Sequence, residues 1–383
     1  MKRNVYLRTT LMIAESVATG TPQGSLRPSR FVCLCLIALG LAALGGCNAA
    51  SSHTAYLSLP ESNAVAAFRI DNGSAKFTQI VGSPYLTGTS PGPLVVNPAK
   101  TFLYVANRID DTISRFKIDS SIGSLTEVAP RVSTGLTPSD MVMNGAGTFL
   151  FVVNQISSNI SVYSIDSASG ALTQVPGSPF STAPNPVTLA VTPSSKFLYV
   201  VDSNLALVFG YAIGASGTLQ QIPNSPFAVG NGPLAIAIDP GEHFLYVVNS
   251  SDGTVTIASI NSSTGALSEV VGSPFGAGTT PIALCVSPNR QYLYIANQGS
   301  SNITGYTMDL TTGFPTLITG SPFGGGGAPA LIVSDPNGNF VYTVSQTSSN
   351  ITVLSVTAGT GVLAATSESA STSVAAVSMF VTK

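Results

Sequence analysis

Few side chains in this chain are suited to chemistry, and their surroundings narrow the choice further. There are two histidines. His53 lies in a short tether ahead of the first strand-like phrase, and His243 stands in a loop before Phe244, where it reads as solvated and not as a base. Cys285 sits inside the apolar run Ile282-Ala-Leu-Cys-Val286 without a disulfide partner, so it reads as a small core residue and not as a nucleophile. Asp110-Asp111 is a paired acid in a turn, solvated in the simpler reading and cation-binding in the alternative. No His/Asp/Glu cluster has metal-ligand spacing, so neither a metal nor a cofactor is expected. What remains is a small group, Ser139, Asp140 and Thr188. A carboxylate beside hydroxyls can take a proton or orient a polar ligand, and it can equally cap the start of a strand. We take these three as possible ligand contacts and assign no catalytic residue.

The elements that must position them come from a repeated phrase. Phe102-Leu-Tyr-Val-Ala-Asn107 returns as Phe149–Asn154, Phe197–Asp202, Phe244–Asn249, Tyr292–Asn297 and Phe340–Ser345, with a weaker copy at Thr54–Leu59. An apolar phrase recurring at about 48 residues signals a propeller. Each repeat reads as four strands. For residues 138–186 these are a Pro-led strand with alternating Met141 and Met143, the buried run Phe149–Asn154, the alternating strand Ile160–Ile165, and a short outer strand Leu172–Val175. Gly177-Ser-Pro-Phe180 follows and recurs in other repeats. Proline there stops the outer strand, glycine permits the reversal, and the aromatic can wedge between blades. The asparagines that end the second strands fit Asx-type turns. Gly324–Gly327 lacks the lysine and helix of a phosphate cradle.

The expected fold is therefore all-β, a seven-bladed β-propeller of four-stranded blades over residues 54–383. The first repeat lacks a Pro-led strand, and the orphan segment Ser373–Phe380 matches one. The C-terminal strand should complete the first blade and close the ring, removing two exposed edges. On this register the residue after each opening proline is Gly92, Ser139, Val187, Leu234, Ile282 and Ala330, with Val374 in the closing strand. The next is Pro93, Asp140, Thr188, Ala235, Ala283 and Leu331, with Ala375 last. These positions face the channel mouth, and Asp140 is the only charge among them.

Residues 1–46 read as a lipoprotein signal peptide. The apolar run Phe31–Leu44 follows Arg27 and Arg30 and is too short to span a membrane comfortably. It ends in Leu44-Gly-Gly-Cys47, which resembles a bacterial lipobox, so Cys47 is the expected lipid attachment site and 47–53 a tether. Asn48 is not an aspartate, and an exported protein held at the outer membrane through its lipid alone is the expectation. Only 8% of residues are charged and the formal net charge is −2, which argues against nucleic acid as a partner. Arg69, Lys76, Lys100, Arg108, Arg115, Lys117 and Arg131 crowd into the first two repeats, either as solvated loop positions or as a partner-facing sector. The molecule is expected to be a monomer.

The phrase Phe-Leu-Tyr-Val-Ala-Asn, the Ile-Ser-X-Phe/Tyr strand after it and the Gly-X-Leu before the outer strand resemble the YVTN-type seven-bladed propellers. They also resemble the lactonase family typified by bacterial 6-phosphogluconolactonase. The resemblance covers residues 54–383 and implies a site at the channel mouth, rich in Arg and His that bind phosphate and polarise a lactone carbonyl. Here the fourteen mouth positions named above hold no Arg and no His. The sequence accordingly points first to a non-catalytic binding or interaction scaffold at the cell envelope, for a protein or a neutral small-molecule or carbohydrate ligand. Lactone hydrolysis is the alternative.

Overall fold

The computed structural model describes residues 52–383. The signal segment 1–46 and Cys47 lie outside the described residues. Seven antiparallel sheets form the blades of a propeller. Each follows the order inner, second, third, outer strand, as in Pro138–Met143, Phe149–Asn154, Asn159–Ile165 and Leu172–Gln174 of blade 3. The apolar second strands are buried along nearly their whole length, because each is covered by a neighbouring blade on both faces. The core is thus seven separate clusters, each shared by two adjacent blades.

Repeated polar devices hold the blades in register. Tyr56, Tyr104, Tyr199 and Tyr294 each donate their phenolic hydroxyl, at 2.7–2.8 Å, to a glycine carbonyl in the next blade: Gly123, Gly170, Gly265 and Gly361. The Gly-Ser-Pro-Phe phrase does more than stop a strand. Its Ser-Pro bond is cis, and the serine oxygen accepts a backbone N–H of the third strand, as Ser178 does from Val162 at 2.8 Å. The chain therefore folds back onto its own blade before leaving it, and Phe180 pairs with Ile160. That aromatic also packs into the core between blades 3 and 4. The asparagines are buried ties and not turn formers. Asn107 donates to Ser114 on the third strand and accepts from Gly88 N–H in the loop between blades. Among the Asn and Asp residues that end the second strands, Asp202 alone makes the Asx-type turn, accepting from Asn204 and Leu205 N–H.

The ring closes as expected, with a different register. Ser378–Val381 pairs with Ala55–Ser58 and supplies the inner strand of blade 1. Phe380 stands opposite Tyr56 as Val142 stands opposite Phe151. The closing-strand residues at the channel mouth are therefore Val377 and Ser378, three positions beyond Val374 and Ala375. The segment carries no proline to mark where its strand begins, and its Ser/Ala/Val composition leaves the period weak. The tether is also shorter than expected. Blade 1 starts at Ser52, and His53 is a buried strand residue whose ring meets the Asn337 amide at 3.0 Å.

Candidate functional site

The mouth where the inner strands begin is built by two recurring backbone features. In blades 3 to 7 the inner strand is bulged between its proline and the residue two places on, as between Pro138 and Asp140. A bulge re-aims the side chains beside it, and here it separates the direction of the residue after the proline from that of the next. The second feature is a short bond fastening the residue after each second strand to the loop that opens the same blade. Arg108 N–H donates to Ser90 C=O at 2.9 Å, and Gln155, Ser203, Ser250, Gln298 and Gln346 repeat the bond with their own loops. Six side chains are thereby planted at equivalent posts around the rim. Five are neutral and polar; the sixth is Arg108.

Arg108 was not among the residues singled out for the mouth, and it is the cation the site turns on. Its side chain lies directly over Gly92. A Cβ at that glycine would stand 2.5 Å from Nε, closer than any real side chain tolerates. Gly92 is the one glycine among the residues that follow the opening prolines, and its missing side chain is what admits the guanidinium. Nη2 donates to Ser139 C=O at 3.2 Å, while Nε is buried without a partner. Burial lowers the Arg108 pKa from its ordinary value and the Asp140 charge opposes that; a guanidinium remains cationic in any case.

The structure brings Asp140 and Thr188 together and turns Ser139 elsewhere. Asp140 Oδ2 accepts from the Thr188 hydroxyl at 2.7 Å and from Leu189 N–H at 3.1 Å, and Oδ1 accepts from Met141 N–H at 2.8 Å. The first two bonds cross from blade 3 to blade 4. Asp140 is partly exposed, with protein packed closely around its carboxylate. That burial pushes its pKa above the ordinary carboxylate value, outweighing the three donors and the Arg108 charge. The Ser139 hydroxyl donates to Pro186 C=O at 3.2 Å, so it joins the blades and its carbonyl anchors Arg108. The arrangement has a cation fit to polarise a carbonyl oxygen, a carboxyl with a raised pKa fit to take a proton, and a hydroxyl oriented by that carboxyl.

The other candidates are structural. Asp110 accepts from Thr89 N–H at 2.6 Å and Asp111 from Thr137 N–H at 2.7 Å, so the paired acid braces the loops on either side of blade 2. Among the described residues no group of three or more His, Cys, Asp or Glu could hold a metal ion. Cys285 is half-buried on the inner strand of blade 6, and burial pushes its thiol up to about 12, which leaves it protonated and inert. The carbonyls of Gly325 and Gly327 accept from the hydroxyls of Thr343 and Ser345, so the glycine run is a held loop. Neither histidine reaches this mouth. His243 lies exposed beside Arg290 in a loop between an inner and a second strand, at the opposite face, and His53 lies toward that face too.

A signal for Arg108 did exist in the sequence. Aligning the repeats one residue beyond the second-strand asparagine puts Arg108 in a column with Gln155, Ser203, Ser250, Gln298 and Gln346. Reading only the residues that follow the prolines hides it.

The family model described as lactonase, seven-bladed β-propeller, matches residues 48–190 and 179–380. The chain belongs to this lactonase family. Among solved structures, this lactonase-family chain is similar to a candidate 6-phosphogluconolactonase from Bacteroides fragilis, with 20% identity and a TM-score of 0.77 over 88% of this chain and 99% of that one. It is similar to the periplasmic gluconolactonase of Pseudomonas aeruginosa at 17% identity, TM-score 0.75, over 87% and 99% of the two chains. A protein from Lactobacillus plantarum aligns at 20% identity and TM-score 0.73 over 87% and 100%. At such identities these likenesses carry the fold alone. No curated protein matches the chain.

Proposed function

We propose that this protein is a lactone hydrolase acting at the mouth where the inner strands begin. The observation that carries the reading is the convergence there of Arg108, Asp140 and Thr188 from three consecutive blades. Membership of the lactonase family supports it. In the reaction, Arg108 draws charge onto the lactone carbonyl oxygen. Asp140 takes a proton from a water that attacks the carbonyl carbon. The ring C–O bond then breaks, the protonated Asp140 carboxyl returns its proton to the leaving alkoxide, and a hydroxy acid is released. Thr188 holds Asp140 in position. A convergent acid and arginine favour this reading over the non-catalytic scaffold, whose main argument was that the mouth lacked such a pair.

The test is proton release from a panel of γ- and δ-lactones with the purified protein. Removing a general base typically costs 10²–10⁴-fold, so Asp140→Asn should lose on the order of 10²-fold in kcat/KM. Wild-type activity should fall as pH drops through the raised Asp140 pKa, since the base must be ionised. Full activity in Asp140→Asn would return the scaffold to first place.

A lipid-anchored, outer-membrane location is part of this proposal and rests on the apolar run Phe31–Leu44 with Cys47 after it. Among the described residues no helix is long and apolar enough to cross a membrane. Ser52 enters blade 1 on the face away from the proposed site.

A further inference from the structure

Within the ring of polar posts, the inner-strand positions of the mouth are divided by polarity, and the division describes a ligand. On blades 2 to 4 the mouth presents Arg108, Asp140 and the Thr188 hydroxyl. Around the remaining arc, the residue after the opening proline is Val187, Leu234, Ile282 and Ala330 on blades 4, 5, 6 and 7, and its counterpart on blade 1 is Val377. Leu234, Ile282, Ala330 and Val377 stand outside the inter-blade cores, whereas Val187 packs against the core between blades 4 and 5. Leu234 is 42% exposed and Val377 36%, and the other three are half-buried at the channel edge. One step further in stand half-buried Ala235, Ala283 and Leu331 on blades 5 to 7, each also packed against an inter-blade core.

Resting on the hydrolytic reading above, we infer that the substrate is a lactone bearing an alkyl or acyl chain, with its ring at Arg108 and Asp140 and its chain along the apolar arc. A polyhydroxy lactone seated within the arc would turn hydroxyls toward Leu234, Ile282, Ala330 and Val377, which offer no donor or acceptor and leave only the Gln and Ser posts at the rim and Ser378 to meet them; hydroxyls buried unpaired are costly. A phosphorylated one would bring its dianion beside Asp140, with Arg108 the only cation that the described residues place at these posts. A chain of methylenes meets the opposite situation, each buried CH₂ being worth roughly fourfold in affinity.

The experiment compares three δ-lactones that share one ring: δ-decanolactone, δ-valerolactone and δ-gluconolactone, each corrected for its spontaneous hydrolysis. We expect kcat/KM for the decanolactone to exceed that for the gluconolactone by on the order of 10²-fold. Leu234→Ser should narrow the preference for decanolactone over valerolactone, chiefly through KM. A preference for gluconolactone, or a chain preference untouched by Leu234→Ser, would overturn this inference while leaving the lactonase reading in place. Hydrolysis of none of these lactones nor of the broader panel sinks the lactonase reading, and this inference falls with it.

Discussion

Replacing Gly92 by alanine tests the link between backbone and chemistry most directly. An alanine Cβ would lie 2.5 Å from Arg108 Nε, 3.0 Å from Cδ and 3.1 Å from Cγ. Ordinary contact between such atoms is about 3.5 Å or more, so the whole guanidinium stem must rise by about 1 Å. The bond from Nη2 to Ser139 C=O starts at 3.2 Å and does not survive that shift. A hydrogen bond from a charged donor contributes about 1.5–3 kcal/mol, but a displaced Arg108 regains the hydration that burial denies it. The two effects largely offset, and the net change in stability should be about 1 kcal/mol or less, a few degrees in Tm at most. Activity should respond far more. Losing a positioned donor to a developing oxyanion typically costs 10²–10³-fold, and a misplaced arginine should forfeit at least tenfold of that. The assay is lactone hydrolysis by Gly92→Ala, Arg108→Ala and the double variant, with thermal melts alongside. If Gly92 acts only by admitting Arg108, the double variant is no worse than Arg108→Ala. Additive losses, or a fully active Gly92→Ala beside a crippled Arg108→Ala, would refute the reasoning.

Two further outcomes bear on the frame that holds the site. Deleting Ser373–Lys383 opens the edge of strand Ser52–Leu59 and withdraws Met379 and Phe380 from the two cores flanking blade 1. At about 1.5–3 kcal/mol for each large side chain and about 2–4 °C per kcal/mol, the melt followed by circular dichroism should fall by roughly 10 °C or more; an unchanged melt contradicts the closure. His53 should confer pH dependence on stability. Burial lowers its pKa below 6.5, so the unfolded chain takes up the proton first as pH falls. Its contribution is complete above about pH 6.5 and is lost as pH drops through the lowered folded value. Asp335, whose pKa burial raises, acts with the opposite sign, its contribution being present at low pH and lost as pH rises. The drop in Tm from pH 7 to pH 5 should therefore be shallower in His53→Gln than in wild type, and equal slopes would remove His53 from the account.

The blades were legible in the sequence because what forms them is local and repeated. A six-residue apolar run needs only its own pattern to be a doubly covered strand, and Gly-Ser-Pro-Phe needs only its own residues to turn. The candidate site was legible in part. Asp140 and Thr188 stood out as polar residues where apolar ones recur, and they do meet. Ser139 stood out equally, but the bulge directs its hydroxyl to Pro186 in the next blade, a partner 47 residues away. His53 went unrecognised as a strand residue because its ring's partner, Asn337, lies at the other end of the chain.

From the sequence alone came the number of blades, their strand order and the fact of closure by the C-terminus, since each is written in a period that adjacent residues carry. The tertiary structure decided the register of the closing strand, where no proline marks the start. It also decided which residues share the mouth. Arg108 belongs to blade 2, its hydrogen-bond acceptor and Asp140 to blade 3, and Thr188 to blade 4. They converge only because neighbouring blades place equivalent positions side by side around one channel, and because Gly92 leaves there the volume a side chain would fill.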